Sequence, residues 1–263
     1  KPTVELDWDF IKRHDNTKAL VGGGFNNFVG AQMAAQMAAA VSPKTAEAIQ
    51  NKRPGHLLKD LSLCGACGGR QDDAPMYFDK PANTSAPGTA GPVFNWRSAP
   101  PPEYYGLTKL DQTPEENSQM LRAAMRFMGA SQVAFGELDE KEKKLVFTKH
   151  NRTKKNIVFE DVEKGYETAD KHVIPNKPLW VVSVAIQMDK ELFRHGNGNL
   201  RTSANGTRYY LWRGTQARTQ AFLTGLGYQG LGYPDFSTGM IPSQAGAVLF
   251  GLAEQARNSN VVT

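Results

Sequence analysis

Glycines crowd the stretch from residue 225 to 251, which reads GLGYQGLGYPDFSTGMIPSQAGAVLFG. A glycine-rich loop between two helical segments lets bare backbone approach a large partner closely. We expect that partner to be a cofactor, although turn formation explains the same glycines equally well. The predicted contact residues in this stretch are Tyr228, Gly230, Gly232, Gly239 and Gly246.

A second candidate is the start of the helical segment before this stretch. Asn205 is predicted to cap a helix that runs from Thr207 to Leu226 and stops at Gly227. The backbone N–H groups at Asn205, Gly206 and Thr207 could then face a phosphate or an amide of a ligand. Plain capping is the alternative.

The two cysteines, Cys64 and Cys67, form a C-x-x-C pair in LCGACGG. Such a pair can be a redox dithiol or half of a four-thiolate metal site. The chain has no second pair, and no βαβ pattern precedes this one. We therefore interpret the segment as a small-residue loop and predict no metal ligands.

Composition excludes several classes of protein. The 263 residues can form one sizeable core, and the formal charge of +5 is modest. No cluster of Lys and Arg interleaved with aromatics indicates nucleic-acid binding, and no stretch of eighteen apolar residues predicts a spanning helix. A first residue other than Met fits either a trimmed cytosolic protein or a mature exported form.

The region from 111 to 263 carries the regular elements. Thr113, Pro114 and Glu116 predict the start of a helix that ends before Gly129 and leads into the strand SQVAFGEL. KKLVFTKH and KNIVFED are predicted to pair as strands, and LWVVSVAIQ (179–187) is typical of a strand covered on both faces. This order of elements predicts a layered α/β (α+β) fold.

Residues 1–110 are predicted to be an irregular extension that wraps this core. An alanine-rich helix is expected at 31–41, and residues 75–102 are rich enough in Pro, Gly, Ser and Thr to predict an extended segment. Aromatic side chains on such a segment either pin it to the core or contact a ligand. They are Phe94, Trp96, Tyr104 and Tyr105.

The ordered blocks of residues 103–258 resemble the cobalamin-dependent reductive dehalogenases that act on tetrachloroethene, trichloroethene and vinyl chloride. The blocks that carry the resemblance are TPEENSQMLRAAMRFMGASQVAFGEL, KKLVFTK with IVFEDV, VIPNKPLWVVSVAIQM, TQAFLTGLGYQGLGY and GLAEQAR. The resemblance implies a nitroreductase-like corrinoid-binding core. It also implies an enzyme that replaces carbon-bound chlorine with hydrogen in small organohalides during anaerobic respiration.

The same resemblance implies further cofactors and partners. Two 4Fe-4S clusters are expected in the full-length enzyme, bound by cysteine motifs that this chain lacks, so the chain looks like the corrinoid-binding part of a longer protein. Family members receive electrons from a respiratory donor. They are exported by the twin-arginine route and held at the outer face of the cell membrane by a small membrane anchor protein.

The family's proton donor is a tyrosine beside a cationic side chain, and the resemblance places Arg194 as that cation. The usual tyrosine position is held by Phe147, which has no proton to give. Tyr166 is the first substitute, with His150 and His195 as alternatives. The implied substrate pocket comprises Phe147, Trp96, Tyr104 and Tyr105.

Two other functions are compatible with these residues. The first is a nitroreductase-like flavin or corrinoid-processing protein with the same core. The second is a corrinoid carrier without chemistry of its own, which Phe147 and the missing cluster motifs favour.

Overall fold

The structure is a computed structural model that describes residues 5–19, 24–57, 99, 101–105, 107–151, 153–196, 198–232, 239–257 and 261–262. The chain forms two compact units. The first comprises Lys1–Thr17, Asp72–Ile186 and Trp212–Thr263, and the second comprises Lys18–Gln71 and Gln187–Leu211. The division near residue 110 stays a prediction.

Helices and strands are both present in the described residues, as an α/β fold requires. The α-helices are α1 (Gly24–Val29), α2 (Ala31–Gln50), α3 (Pro114–Phe127), α4 (Lys190–Arg194), α5 (Asn199–Gly225) and α6 (Ser243–Leu249). The strands are β1 (Gln132–Leu138), β2 (Asn156–Glu160), β3 (Tyr166–Glu167), β4 (Lys171–Pro175), β5 (Leu179–Ala185), β6 (Glu254–Gln255) and β7 (Val261–Val262). Short 3-10 helices occur at Asn16–Lys18, Pro102–Tyr105 and Glu142–Leu145.

Helix α3 confirms the prediction made from its end signals. The Thr113 hydroxyl accepts a hydrogen bond from the Glu116 N–H at 3.3 Å, and the Glu116 carboxylate accepts one from the Thr113 N–H at 3.0 Å. Gly129, with φ of +113°, ends the helix in a conformation that favours glycine. Because all of these signals lie within one turn of a helix end, the sequence alone determines this element.

Strands β1 and β5 pair antiparallel and carry a helix on each face. Met125 of α3 is buried against Val133, with Val182 and Val184 packed beside it. On β5, Ser183 points the other way and donates a hydrogen bond to the Gly246 carbonyl of α6 at 3.1 Å. The strand is thus covered on both faces at its centre, as predicted, whereas Trp180 near its start is 59% exposed.

Strands β2, β4 and β3 form a second sheet in that order. The predicted pairing of 143–150 with 155–161 is wrong for most of its length, because β2 pairs in parallel with β4. Residues 142–145 instead form a 3-10 helix, and only an isolated bridge links Lys149 to Asn156 among the described residues. Strand pairing depends on which strand lies alongside in the folded sheet, and the local residue pattern does not identify that strand.

The second unit contains α1, α2, α4 and the first part of α5. The alanine-rich helix predicted at 31–41 is confirmed and extends to Gln50. Its Met33, Met37 and Val41 recur every four residues and are each at least 48% exposed. None of the described helices has both the length and the apolar character needed to cross a membrane.

Candidate functional site

The glycine-rich loop after α5 lies against the helix that precedes it. A Cβ on Gly232 would lie 2.1 Å from the Gln216 side-chain nitrogen, and one on Gly230 would lie 3.0 Å from a methyl carbon of Leu223. The Gln220 amide donates a hydrogen bond to the Gly230 carbonyl at 2.7 Å. The side chains nearest to these two glycines therefore belong to α5.

The other predicted cofactor contacts of this unit also have partners within the chain. The Tyr228 hydroxyl donates to the Leu110 carbonyl at 2.8 Å, and the Lys109 ammonium lies 4.1 Å from its ring centroid. Gly246 accepts the Ser183 hydrogen bond, and Gly239 is buried. Partners within the protein thus account for Tyr228 and Gly246 in this structure. Their contact with a corrinoid stays a prediction.

The predicted cap at Asn205 is wrong. Helix α5 begins at Asn199, so Asn205, Gly206 and Thr207 lie inside it and their N–H groups belong to its second and third turns. Thr202 and Ser203 donate their hydroxyls to the backbone carbonyls four residues earlier. A cap-forming residue type in a long polar helix is a weak signal, because the helix continues on either side of it.

Phe147 is a core residue of the first unit. It packs with Leu138, Val146, Ile157 and Ile174, and Met240 and Ile241 from the glycine-rich segment cover the cluster. The Phe147 N–H donates to the Met240 carbonyl at 2.8 Å. Phe147 is thus a buried ring that is fixed at both its backbone and its side chain.

An arginine of the N-terminal arm binds the backbone on either side of this ring. The Arg13 guanidinium donates to the carbonyls of Val146 at 2.9 Å and Phe147 at 2.7 Å, and a third bond reaches Ile157. Burial lowers the pKa of Arg13 from its ordinary value. Sequence inspection missed this residue, because its acceptors lie more than 130 positions away.

Arg194 is the last residue of the short helix α4. Asp189 caps this helix by accepting the Leu192 N–H at 2.7 Å. The Arg194 guanidinium lies 2.9 Å from the Glu191 carboxylate, and both side chains are mostly exposed, at 61% and 75%. His195 follows at the end of the helix and is exposed.

Tyr166 lies in β3, where it belongs to an exposed charged group. Its hydroxyl donates to the Glu160 carboxylate at 2.8 Å, and the Lys171 ammonium contacts the same carboxylate. The hydrogen bond from Lys171, followed by that from Tyr166, lowers the pKa of Glu160, and the Glu160 bond raises the pKa of Lys171. The register brings these residues to one face of the sheet. The phenol proton of Tyr166 is therefore held by an ionised carboxylate.

Several predicted residues cannot be placed. Phe94, Trp96, Cys64 and Cys67 lie outside the described residues. Tyr104 and Tyr105 end the 3-10 helix Pro102–Tyr105. The structure describes their backbone but not their side chains. Within the residues that the structure describes, no group of three or more His, Cys, Asp or Glu side chains could hold a metal ion.

Two buried histidines form a cluster that sequence inspection found only in part. His150, one of the alternative donors, is fully buried beside His172, with ring centroids 5.6 Å apart. The Thr153 hydroxyl lies 2.9 Å from His150 Nδ1 and 3.3 Å from His172 Nε2. On the far side of His172, its Nδ1 lies 3.3 Å from the Glu167 carboxylate, which also pairs with Lys155 at 3.3 Å.

The cluster forms because β4 is paired on both sides. His172 lies opposite Glu167 of β3 and opposite Ile157 of β2, so these three side chains share a face of the sheet. Burial lowers the pKa of His172, the Glu167 carboxylate opposes that effect, and His150 and Lys155 add to it. The balance leaves His172 harder to protonate than an ordinary histidine.

This lowered pKa predicts a loss of stability in acid. Between the ordinary value of 6.5 and the lower folded value, the unfolded chain binds a proton at this position that the folded chain does not. The free energy of unfolding should therefore fall with pH below about 6.5, by at most about 1.4 kcal/mol per pH unit for this one group. Urea titrations at a series of pH values measure the slope. His172→Gln should flatten it and the exposed His195→Gln should not; equal slopes in all three proteins would contradict the assignment.

The described residues define an α/β protein with acid–base side chains on one sheet. A sequence model of the family described as "Reductive dehalogenase subunit" matches residues 1–262. The chain therefore belongs to the reductive dehalogenase family. It is 27% identical over 186 residues to a trichloroethene reductive dehalogenase of Dehalococcoides mccartyi, a match that covers 59% of this chain. The match spans only about a third (33%) of that relative's length.

Proposed function

We propose that this chain is part of a reductive dehalogenase that replaces carbon-bound chlorine with hydrogen in small organohalides. The family match along residues 1–262 is the observation that carries this proposal. The similarity to a trichloroethene reductive dehalogenase makes chlorinated ethenes the first substrates to test. The reaction consumes two electrons and one proton for each chloride released.

The proposed architecture is the nitroreductase-like layered core. Helices α3 and α6 on opposite faces of the β1–β5 sheet support a layered arrangement in the first unit. The mixed helix and strand content is compatible with it.

Cobalamin is the proposed cofactor, and family membership is its support. When bound, a reduced corrinoid would supply electrons for breaking the carbon–chlorine bond. Two 4Fe-4S clusters are proposed for the enzyme as a whole. The small membrane anchor protein, the respiratory electron donor and a location at the outer face of the cell membrane after twin-arginine export are proposals on the same basis.

The protein must supply the proton. We keep Arg194 and Tyr166 as the proposed cation and donor. Tyr166 brings a phenol hydroxyl next to the ionic pair of Glu160 and Lys171, so a proton lost from it can be replaced along hydrogen bonds that already exist. Phe147 and the aromatics Trp96, Tyr104 and Tyr105 remain the proposed pocket lining.

The cofactor proposal predicts that the active enzyme containing this chain is purified with cobalt. Treatment of the reduced enzyme with an alkyl iodide should abolish its activity, and light should restore it, because a reduced corrinoid is alkylated and the product is light-sensitive. The oxidised enzyme, treated in the same way, is the control and should keep its activity. An active preparation without cobalt, or one containing flavin instead, would contradict the assignment.

A further inference from the structure

The buried histidine cluster has a chain of contacts that suits proton movement. It runs from the Glu167 carboxylate to His172 Nδ1, from His172 Nε2 to the Thr153 hydroxyl, and from that hydroxyl to His150 Nδ1. The three contacts measure 3.3, 3.3 and 2.9 Å. Both rings are inaccessible to solvent, whereas Thr153 is exposed.

The available protons can be placed in two ways, each of which leaves one of the three contacts without a proton. The His150 Nδ1 atom accepts the Thr153 backbone N–H at 3.1 Å, so it carries a lone pair. In one arrangement, a neutral His172 carries its proton on Nδ1, which lies 3.3 Å from the Glu167 carboxylate, and accepts the Thr153 hydroxyl at Nε2. In the other, His172 donates from Nε2 to Thr153, whose hydroxyl then donates to His150. Passing from the first arrangement to the second removes the proton between Glu167 and His172 and reverses the bond between His172 and Thr153. It also places a proton between Thr153 and His150.

In the second arrangement, His172 Nδ1 presents a lone pair to an ionised carboxylate. That repulsion disappears when one further proton enters between Glu167 and His172. Burial, His150 and Lys155 oppose a positive charge on His172, and Glu167 favours it. Two charged rings with centroids 5.6 Å apart would repel each other, so the cluster takes up one proton at a time.

We propose that Glu167, His172, Thr153 and His150 form a proton relay that carries one proton at a time from the protein surface to the buried His150. The proton binds His172 at Nδ1, the Nε2 proton moves to the Thr153 oxygen, and the Thr153 hydroxyl proton moves to His150 Nδ1. Two N–H bonds form and one breaks, the difference being the incoming proton; Thr153 gains one O–H bond and loses another, and no electron is transferred. The Thr153 backbone N–H loses its acceptor while His150 carries the proton.

The relay supplies protons to His150, the alternative donor, whereas Tyr166 exchanges its proton with Glu160 and Lys171. This role rests on the proposed dehalogenation, which consumes one proton for each chloride released. His150 follows Phe147, one of the proposed pocket residues, by three residues. His172, Thr153 and Glu167 act through His150 and are positioning residues rather than catalytic ones.

The first test needs neither cofactor nor substrate. Thr153→Val removes the bridging hydroxyl at an exposed position with little change of shape, and Thr153→Ser keeps it. Side-chain ¹⁵N spectra of the histidines are recorded from pH 8 to pH 5. In the original protein and in Thr153→Ser, the signals of His150 and His172 should shift together as one proton binds; in Thr153→Val, only His172 should shift. Independent titration of the two rings in the original protein would overturn the relay.

The second test uses the active enzyme that contains this chain. Thr153→Val should lower the rate about ten-fold and increase the solvent deuterium isotope effect, while Thr153→Ser stays within about two-fold of the original rate. Coupled titration with an unchanged rate and isotope effect in Thr153→Val would overturn the link between the relay and catalysis. If no variant and no original enzyme releases chloride, the proposed function fails and this role fails with it, whereas the ¹⁵N result still stands by itself.

Discussion

Replacing Arg194 with leucine is expected to lower the dehalogenation rate about 10²–10⁴-fold without loss of cobalt from the enzyme. The proposed role of the guanidinium is to stabilise the anion left when the donor gives up its proton, through a charge that leucine lacks. Rates and cobalt content measured on the same preparation separate an effect on proton transfer from an effect on cofactor binding.

Glu191→Gln is the matched control for this variant. It removes the carboxylate that lies 2.9 Å from Arg194 but keeps the guanidinium itself. An exposed ion pair of this kind contributes little to stability, on the order of 0–1 kcal/mol. If Arg194 serves only that pair, both variants will retain the original rate, and the role carried over from the resemblance would have to be abandoned.

Replacing Arg13 with alanine is expected to destabilise the first unit by about 3 kcal/mol. The guanidinium donates to three backbone carbonyls, of Val146, Phe147 and Ile157, and such hydrogen bonds contribute roughly 1.5–3 kcal/mol each. The cost of burying the charged guanidinium offsets part of their sum. The His14 carbonyl also accepts the Thr148 N–H at 2.8 Å, so loss of Arg13 weakens the attachment of the whole arm.

Urea denaturation measures this loss of stability. Two further variants test whether the buried contacts of Arg13 cause it. Arg13→Lys keeps the charge but cannot reach three carbonyls from one nitrogen, so its stability should fall between the original protein and Arg13→Ala. Arg53→Ala removes an arginine that is 61% exposed and pairs with Glu47, and it should cost less than about 1 kcal/mol. Equal losses for Arg13→Ala and Arg53→Ala would show that the buried contacts of Arg13 contribute nothing special.

Local signals explain which elements the sequence predicts well. Helix α3 was predicted from Thr113, Pro114 and Gly129, all of which lie at its own ends. The strand β5 was recognised from its run of β-branched residues. The helix predicted from Thr207 begins eight residues earlier, at Asn199, because Asn205 resembles a cap and Asn199 carries no stronger local mark.

Contacts between distant residues explain most of what was missed. His150 is bonded to the backbone of Lys155 just before β2, and the parallel pairing of β2 with β4 brings His172 beside it, whereas the sequence pattern predicts only a hairpin of 143–150 with 155–161. Gly230 and Gly232 predict contact with a cofactor. In the structure, the side chains that a Cβ at either position would meet belong to α5. The family resemblance came from ordered blocks of residues, and the family match over residues 1–262 confirms it.

The fate of the chlorine-bearing carbon tests the proposed function most directly. The enzyme that contains this chain is supplied with trichloroethene and a low-potential reductant in deuterated buffer. We predict one chloride released per product molecule, and one deuterium on the carbon that lost the chlorine. Enzyme that contains cobalt and is fully reduced but releases no chloride from chlorinated ethenes or other small organohalides would contradict the account and favour a corrinoid carrier.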